Sequence, residues 1–524
     1  MDGLLRGLAQ RPLLGGAAIV VIGLVLYLAL VNRRMRGVPD DAMKVKQPSW
    51  TAQVLHDTYA RLEKNPINVE TTKAGLPPKL ERRYIVTGGC GTCSQKSTVV
   101  FGNFADNNNK GLVGGYLVLQ LLARGQPPES IRIVDFQEMH RRDMLDGPAR
   151  HVEVVHTDVS SPASTDAAFG KPWPKSVAKL PLTVFHTAAV IVPSDRTQSA
   201  YRFLERINIE GTKNVLASSR RAGADVLVYT ASASIVIRFV EFFLAPWRLL
   251  TGWPKHFVQQ LNEDDFFHPL RPFSQFFSAY AASKAAAERI VCEANCETLR
   301  TGSIRPANGI YGHPTDNTVG QPLNGSVQPT WCFNIVNSFL HGMNCAVAHL
   351  NFEAVLADPR SSTMPQAGRP FSVTDPNGAI QFQDLYFAIE KLSITPFRTI
   401  ALLPVQMLLM SYAVEAYIKL PQRFPVLKTI LPALTGDIKH LQPALFSIVT
   451  HLYATNDPVS KSVKEGGLGY RGLITTLDGL VQQLLDWNLE HKGVDRSAWV
   501  RYRSSVSMAE DLNKIGATAK TLQK

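Results

Sequence analysis

Cysteine is scarce in this chain of 524 residues: Cys90, Cys93, Cys292, Cys296, Cys332 and Cys345 are all there are. So few thiols in so long a chain exclude a disulfide-built scaffold and suit a reducing compartment. Cys90 and Cys93 have the spacing of a zinc half-site, but no second CxxC or nearby Cys/His pair completes four ligands, so no metal is expected. Cys292 and Cys296, four residues apart, are expected on one helical face as buried thiols. Internal repeats and low-complexity stretches are also missing. With 45% hydrophobic and 19% charged residues, disorder does not dominate. Blocks of positive charge are lacking too. The net charge is +12, yet the basic residues are scattered and not interleaved with aromatics, which argues against a nucleic-acid partner. A solvated basic face, or attraction to anionic lipid, fits better.

What is present begins with a membrane signal. Leu13 to Val31 is an unbroken run of 19 apolar and small residues, long enough to cross a hydrocarbon core at 1.5 Å per residue. Asn32-Arg33-Arg34-Met35-Arg36 follows at once, whereas the other flank carries Arg6 and Arg11 offset by Asp2. That bias predicts a short lumenal N-terminus and a cytosolic body. No small-x-small cleavage site precedes the arginines, so an anchor is preferred over a signal peptide. In a cytosolic body the sequon at Asn324 carries no glycan.

Residues 37–80, punctuated by prolines, read as a juxtamembrane linker with a short helix near Trp50–Leu62. Beyond it, β patterns at Tyr84–Thr87, Ile131–Asp135, Val152–His156, Leu182–Thr187, Val226–Thr230 and Thr301–Arg305 alternate with helical ones, starting at Gly114–Ala123. This alternation predicts an α/β fold, a Rossmann-type doubly wound parallel sheet with a smaller C-terminal substrate-binding region. The expected divisions are an anchor at 1–36, the linker at 37–80, a dinucleotide-binding domain with the catalytic residues at 81–315, a substrate-binding region at 316–490 and a tail at 491–524.

The first strand runs into Thr87-Gly88-Gly89-Cys90-Gly91. Glycines there let the chain turn sharply and let a pyrophosphate approach a helix N-terminus, so Gly88 and Gly91 are candidate phosphate-loop residues. Asp135, ending the second strand, is placed to accept from the adenosine ribose hydroxyls. A carboxylate there repels a 2′-phosphate, which favours NAD over NADP. Asp158, after the third strand, is expected beside the adenine. The glycine pattern is broken, however: Ser94 stands where the third glycine belongs. Gly111-Leu112-Val113-Gly114 appears later, and removing Gly91–Lys110 or Thr92–Gly111 restores GxxGxxG ending at Gly114. The polar, Asn-rich insertion over 92–111 reads either as a surface flap or as an intron left in the coding sequence, and the second reading is preferred.

Tyr280-Ala281-Ala282-Ser283-Lys284 opens a helix on which Tyr280 and Lys284 share a face. The ammonium is expected to lower the phenol pKa and fit Tyr280 for proton transfer with a substrate hydroxyl. Ser232, after the β run ending at Thr230, supplies a hydroxyl to orient the substrate oxygen, in preference to Ser234.

Together with His186-Thr187-Ala188-Ala189, Asn208–Val215, Arg305-Pro306, Ile310-Tyr311-Gly312, Asn344–His349, Phe371–Asp375 with Asp384, and Leu468–Arg471, these motifs follow one order across residues 83–490. In that order the chain resembles the extended short-chain dehydrogenase/reductases. The nearest likeness is to the 3β-hydroxysteroid dehydrogenase family, which includes sterol-4α-carboxylate 3-dehydrogenase (decarboxylating). The resemblance implies Ser232, Tyr280 and Lys284 as the catalytic trio, with Lys284 also reaching the nicotinamide ribose. It places Pro306 near the nicotinamide, has His186–Ala189 line the cofactor path, and makes Asn208 a structural or proton-relay residue. It further implies oxidation of a 3β-hydroxyl on a sterol-like lipophilic substrate, with or without loss of a 4-carboxyl, a location in the endoplasmic reticulum, and a homodimer. Steroid dehydrogenation with isomerisation, triterpenoid tailoring, and a non-catalytic nucleotide-binding protein are the alternatives.

Three departures from that family stand out: the insertion, Ala231 where serine is frequent, and the long apolar segment Ile235–Phe257. The aromatics of that segment, with Arg238, Arg248 and Lys255, suit either a bilayer surface or a packed lid. Ile400–Ala413, continuing to Leu420, reads as a membrane-docking or buried helix and not a second span, because Glu415 and Lys419 interrupt it.

Overall fold

The computed structural model describes residues 12–90, 111–139, 141–434 and 436–493. Gly91, most of the 92–111 insertion and nearly all of the 491–524 tail lie outside the described residues. Seven parallel strands form the central sheet: β1 Arg83–Thr87, β2 Ile131–Asp135, β3 Glu153–His156, β4 Leu182–His186, β5 Ala224–Thr230, β6 Arg300–Pro306 and β7 Pro370–Val373. Their order across the sheet is β7-β6-β5-β4-β1-β2-β3. The reversal at β1 and β4 is the doubly wound arrangement, with a crevice at the C-terminal strand ends where the order switches. Each of the six expected strands is present within two residues of its expected start. Helices cover both faces, so β1, β2, β4, β5, β6 and β7 are almost wholly buried, including polar members such as Arg132, Thr301 and Arg305. A smaller mixed sheet of four short strands, including Val258–Leu261 and His451–Ala454, stands beside the crevice.

The helix Ala279–Glu293, capped by Ser278, is fixed to β6 by a buried ion pair. Arg305 Nε lies 2.9 Å from Glu288 Oε1, and Asp265 holds a second edge of the guanidinium. Charges this deep are tolerable only when paired and hydrogen-bonded. Asn208 sits in a π-helical turn, Glu205–Glu210. The wider turn aims its amide at the chain after β4. Its oxygen accepts from the Val190 N–H at 2.8 Å, and its nitrogen donates to Val190 O and to Ser283 Oγ. Asn208 thus ties the chain after β4 to the helix that carries Tyr280 and Lys284.

Two expectations change. The stretch read as a linker is built into the body: helix Ala52–Lys64, capped by Thr51, buries Leu55, Thr58 and Leu62 against helices Thr476–His491 and Phe382–Leu392. Its amphipathic spacing supplies the buried stripe. Cys292 is buried as expected, but Cys296 is exposed. The helix ends at Glu293, so the two thiols share no helical face. Among the described residues no cluster of His, Cys, Asp and Glu suits a metal ion.

The helix Pro12–Arg36 carries, among the described residues, the one stretch long and apolar enough to cross a membrane, and that stretch is almost entirely unburied.

Candidate active site

The crevice holds two adjoining cavities that share Gly88, Gly111, Thr187, Ala189 and Ile191. One extends over the ends of β2 and β3 and is lined by Asp135, Phe136, Asp158, Val159 and Ala188. The other runs to Ser232, Ser234, Phe277, Tyr280, Lys284, Pro306 and Ile448. Ser232, Tyr280, Lys284, Gly88, Asp135, Asp158, Ala188 and Pro306 each line one of them, whereas Gly114 packs against Gly88 O and His186 stands outside both.

The shared floor fits a dinucleotide. Gly88 has a φ of +79°, and a Cβ there would lie 2.8 Å from the Ala188 backbone. A Cβ on Gly114 would lie 2.6 Å from Gly88 O. Only glycines allow this approach of turn, strand end and helix. Gly111, at φ +72°, caps helix Leu112–Ala123. The two halves of the glycine pattern, 20 residues apart in sequence beyond Cys90, therefore meet as they would in an uninterrupted loop. Asp135 accepts from the Cys90 N–H at 2.9 Å and from the Gln137 N–H at 3.0 Å, which fixes its carboxylate at the cavity edge. Asp158 caps its own turn, accepting from Ser160 N–H, and also faces the cavity.

His186 does not line the path. It is buried between Thr87 Oγ1, at 2.8 Å, and Thr212 Oγ1, at 2.9 Å. Burial pushes its pKa down to about 3, which keeps the ring neutral. Thr212 spends its own proton on Asn208 O, so the Nε2 of His186 donates and its Nδ1 accepts from Thr87.

Ser232 and Ser234 face the cavity with their hydroxyls 2.8 Å apart. Burial, opposed by the Ser232 hydroxyl, holds the Tyr280 phenol up at about 12. This reverses the expected lowering. Lys284 does not offset the burial: its Nζ donates to Thr230 O at 2.6 Å and stands 4.3 Å over the Tyr229 ring. Burial, offset in part by Glu288, lowers the lysine to about 7. If Tyr280 acts as the base, its ionised fraction rises tenfold per pH unit below about 12. In the nucleotide-free chain the phenol is therefore expected to stay protonated to at least pH 10. A difference in tyrosinate absorbance between the parent chain and Tyr280→Phe below pH 8 would contradict this.

Sequence reasoning missed several parts of the site. His349, in a stretch matched only as a motif, accepts from Thr230 Oγ1 at 2.7 Å and donates to Cys345 O. It thereby braces the residue whose carbonyl holds Lys284. Asp316 gathers the Thr318, Val319 and Gly320 N–H groups, shaping the turn that brings Asn317 and Thr318 to the cavity. The Asp-Asn-Thr turn was a usable signal; Phe277 and Ile448 had none.

The sequence profile of the 3-beta hydroxysteroid dehydrogenase/isomerase family matches residues 108–242 and 260–402, more than half of the chain. The chain belongs to that family. The match begins near the end of the insertion and skips 243–259, two of the three departures noted above. Similar proteins include the Schizosaccharomyces pombe sterol-4-alpha-carboxylate 3-dehydrogenase (decarboxylating), 26% identical over 53% of this chain and 71% of that one. The mouse 3 beta-hydroxysteroid dehydrogenase type 7 is 25% identical over 44% of this chain and 50% of that one. Among solved structures, the Thermus thermophilus UDP-glucose 4-epimerase complex with NAD aligns over 79% of this chain and all of that one, at 16% identity and a TM-score of 0.46. As a family member the chain is an NAD-dependent oxidoreductase of the short-chain dehydrogenase type.

Proposed function

We propose that this protein oxidises the 3β-hydroxyl of a sterol or steroid-like substrate to the 3-ketone at a membrane surface, using NAD. The observation that carries the reading is the convergence of Ser232, Tyr280 and Lys284 on one cavity that continues over Gly88 to Asp135. Gly88, Gly114, Asp135, Asp158, Ala188, Lys284 and Pro306 are the residues assigned to the dinucleotide, whose contribution is to accept two electrons from the carbinol carbon. Ser232 steadies the substrate oxygen and Tyr280 removes its proton. Lys284, near neutrality when buried, gains a reason to stay charged when it leaves Thr230 O for a ribose hydroxyl and the forming phenolate. That shift restores the lowering of the phenol pKa that the spacing of the two residues suggests. The apolar walls, Ile191, Pro193, Phe277 and Ile448, suit a lipophilic body and exclude water from the reacting oxygen.

Two relatives bear on a neighbouring carboxylate, the yeast enzyme above and a mouse enzyme of the same name. A 3-keto acid with its carboxyl on the adjacent carbon loses carbon dioxide readily, because the ketone stabilises the enolate. Mass spectrometry of products from a 4-carboxy-3β-hydroxysterol tests this step: a decarboxylated 3-ketone is expected. A ketone that keeps its carboxyl when isolated cold and analysed at once would oppose it.

The carboxylate of Asp135 sets the nucleotide preference. Asp135→Ser is expected to weaken NAD binding roughly 10–100-fold, the worth of charged hydrogen bonds of about 1.5–3 kcal/mol, while NADP gains relative to NAD. Titration with both nucleotides measures it, and an unchanged ratio would remove Asp135 from the ribose site.

A further inference from the structure

The N-terminal helix is flanked by apolar surface that the catalytic cavity does not account for. Leu13 and the stretch Ile19–Leu26 are exposed and apolar. From Tyr27 onward the helix is walled in by the body. Tyr27 donates to Leu244 O at 2.9 Å, and Arg34 donates to Leu249 O and Leu250 O. The Tyr27, Phe243 and Tyr412 rings follow one another at 6.4 and 6.1 Å. The wall consists of the short helix Pro246–Thr251 and the helix Pro404–Arg423.

The outward faces of these two pieces are apolar. Trp247 is 71% exposed, Leu250 65% and Val426 73%, with Leu409, Phe424 and Ile430 beside them in sequence. Exposed Arg248, Lys419, Arg423 and Lys428 stand among them. Large apolar side chains with basic neighbours make an interfacial surface: the rings and leucines enter the acyl boundary while the cations stay with phosphates. Both pieces fall outside the residues the family profile matches, 108–242 and 260–402.

We propose that Phe243–Trp253 and Leu409–Ile430 form a collar embedded in the interfacial layer of the bilayer around the emerging helix. The collar is a second membrane contact made by the body itself. It is also tied to the segment that borders the cavity. Glu415 pairs with Arg196, whose guanidinium lies 4.7 Å over Phe239. Arg196 follows Ile191 and Pro193, which line the cavity. Resting on the sterol reading above, this gives the cavity an entrance beside lipid.

The test uses the full chain in vesicles of phosphatidylcholine and phosphatidylserine, with nitroxide-bearing phosphatidylcholine as quencher. Cys93 is replaced by serine throughout. An environment-sensitive dye is placed on Leu250→Cys or Val426→Cys in a Cys296→Ser background, and on native Cys296 as the reference. Cys296 is exposed just past the helix end remote from Tyr280. Strong quenching at 250 and 426 with none at 296 is expected. Quenching at 250 and 426 no greater than at 296 would overturn the collar, and the result is independent of whether any sterol is turned over.

Discussion

Tyr280→Phe is expected to lower turnover by roughly 10²–10⁴-fold, the usual worth of a positioned general acid–base group, with nucleotide affinity nearly unchanged. The phenol oxygen is the atom the change removes, and its structural ties are few. Its described partner is Ser232, and the ring packs with Leu204 and Ala279. The variant should therefore fold with its cavity intact. Steady-state kinetics beside nucleotide titration separates the outcomes. If turnover survives, the catalytic assignment is wrong. If nucleotide binding collapses in parallel, Tyr280 holds the site together and does not perform its chemistry.

The second large effect concerns the split glycine loop. Excising Gly91–Lys110 is expected to tighten NAD binding by roughly 10–100-fold, which is what recovering one backbone N–H contact to a pyrophosphate, about 1.5–3 kcal/mol, would give. Gly88 and Gly111 already line the same cavities, and Gly114 already packs on Gly88 O. Direct joining of Cys90 to Gly111 completes GxxGxxG in sequence. Calorimetric titration of both chains measures the difference. Equal affinity would mean that the insertion leaves the phosphate loop functional, and a transcript retaining all of its codons would remove the intron reading. The non-catalytic alternative draws on the same feature, since a loop that binds nucleotide poorly suits a protein without turnover.

The strands were legible because each is a short apolar run between turn residues, and parallel strands buried on both faces leave that mark strongly. Tyr280 and Lys284 were legible because helical spacing fixes which residues share a face. The direction of the phenol shift was not, since it depends on how deeply the folded chain buries the ring, while Thr230 O, 54 residues from Lys284 in sequence, holds the ammonium. Cys296 was misread for a simpler reason: a four-residue spacing means a shared face only while the helix lasts, and this one stops at Glu293. The packed state of residues 37–80 was hidden by their prolines, although Leu55, Thr58 and Leu62 already stood at helical intervals. The collar needed two segments about 150 residues apart to be seen side by side.

Formation of reduced nicotinamide by the detergent-solubilised full chain and its excised form, given NAD and 3β-hydroxysterols with and without a 4-carboxyl, tests the account most directly. Turnover that depends on the 3β-hydroxyl and is stronger in the excised form is the predicted result. A folded, NAD-binding protein that reduces no nicotinamide with any 3β-hydroxysterol in either form would contradict it.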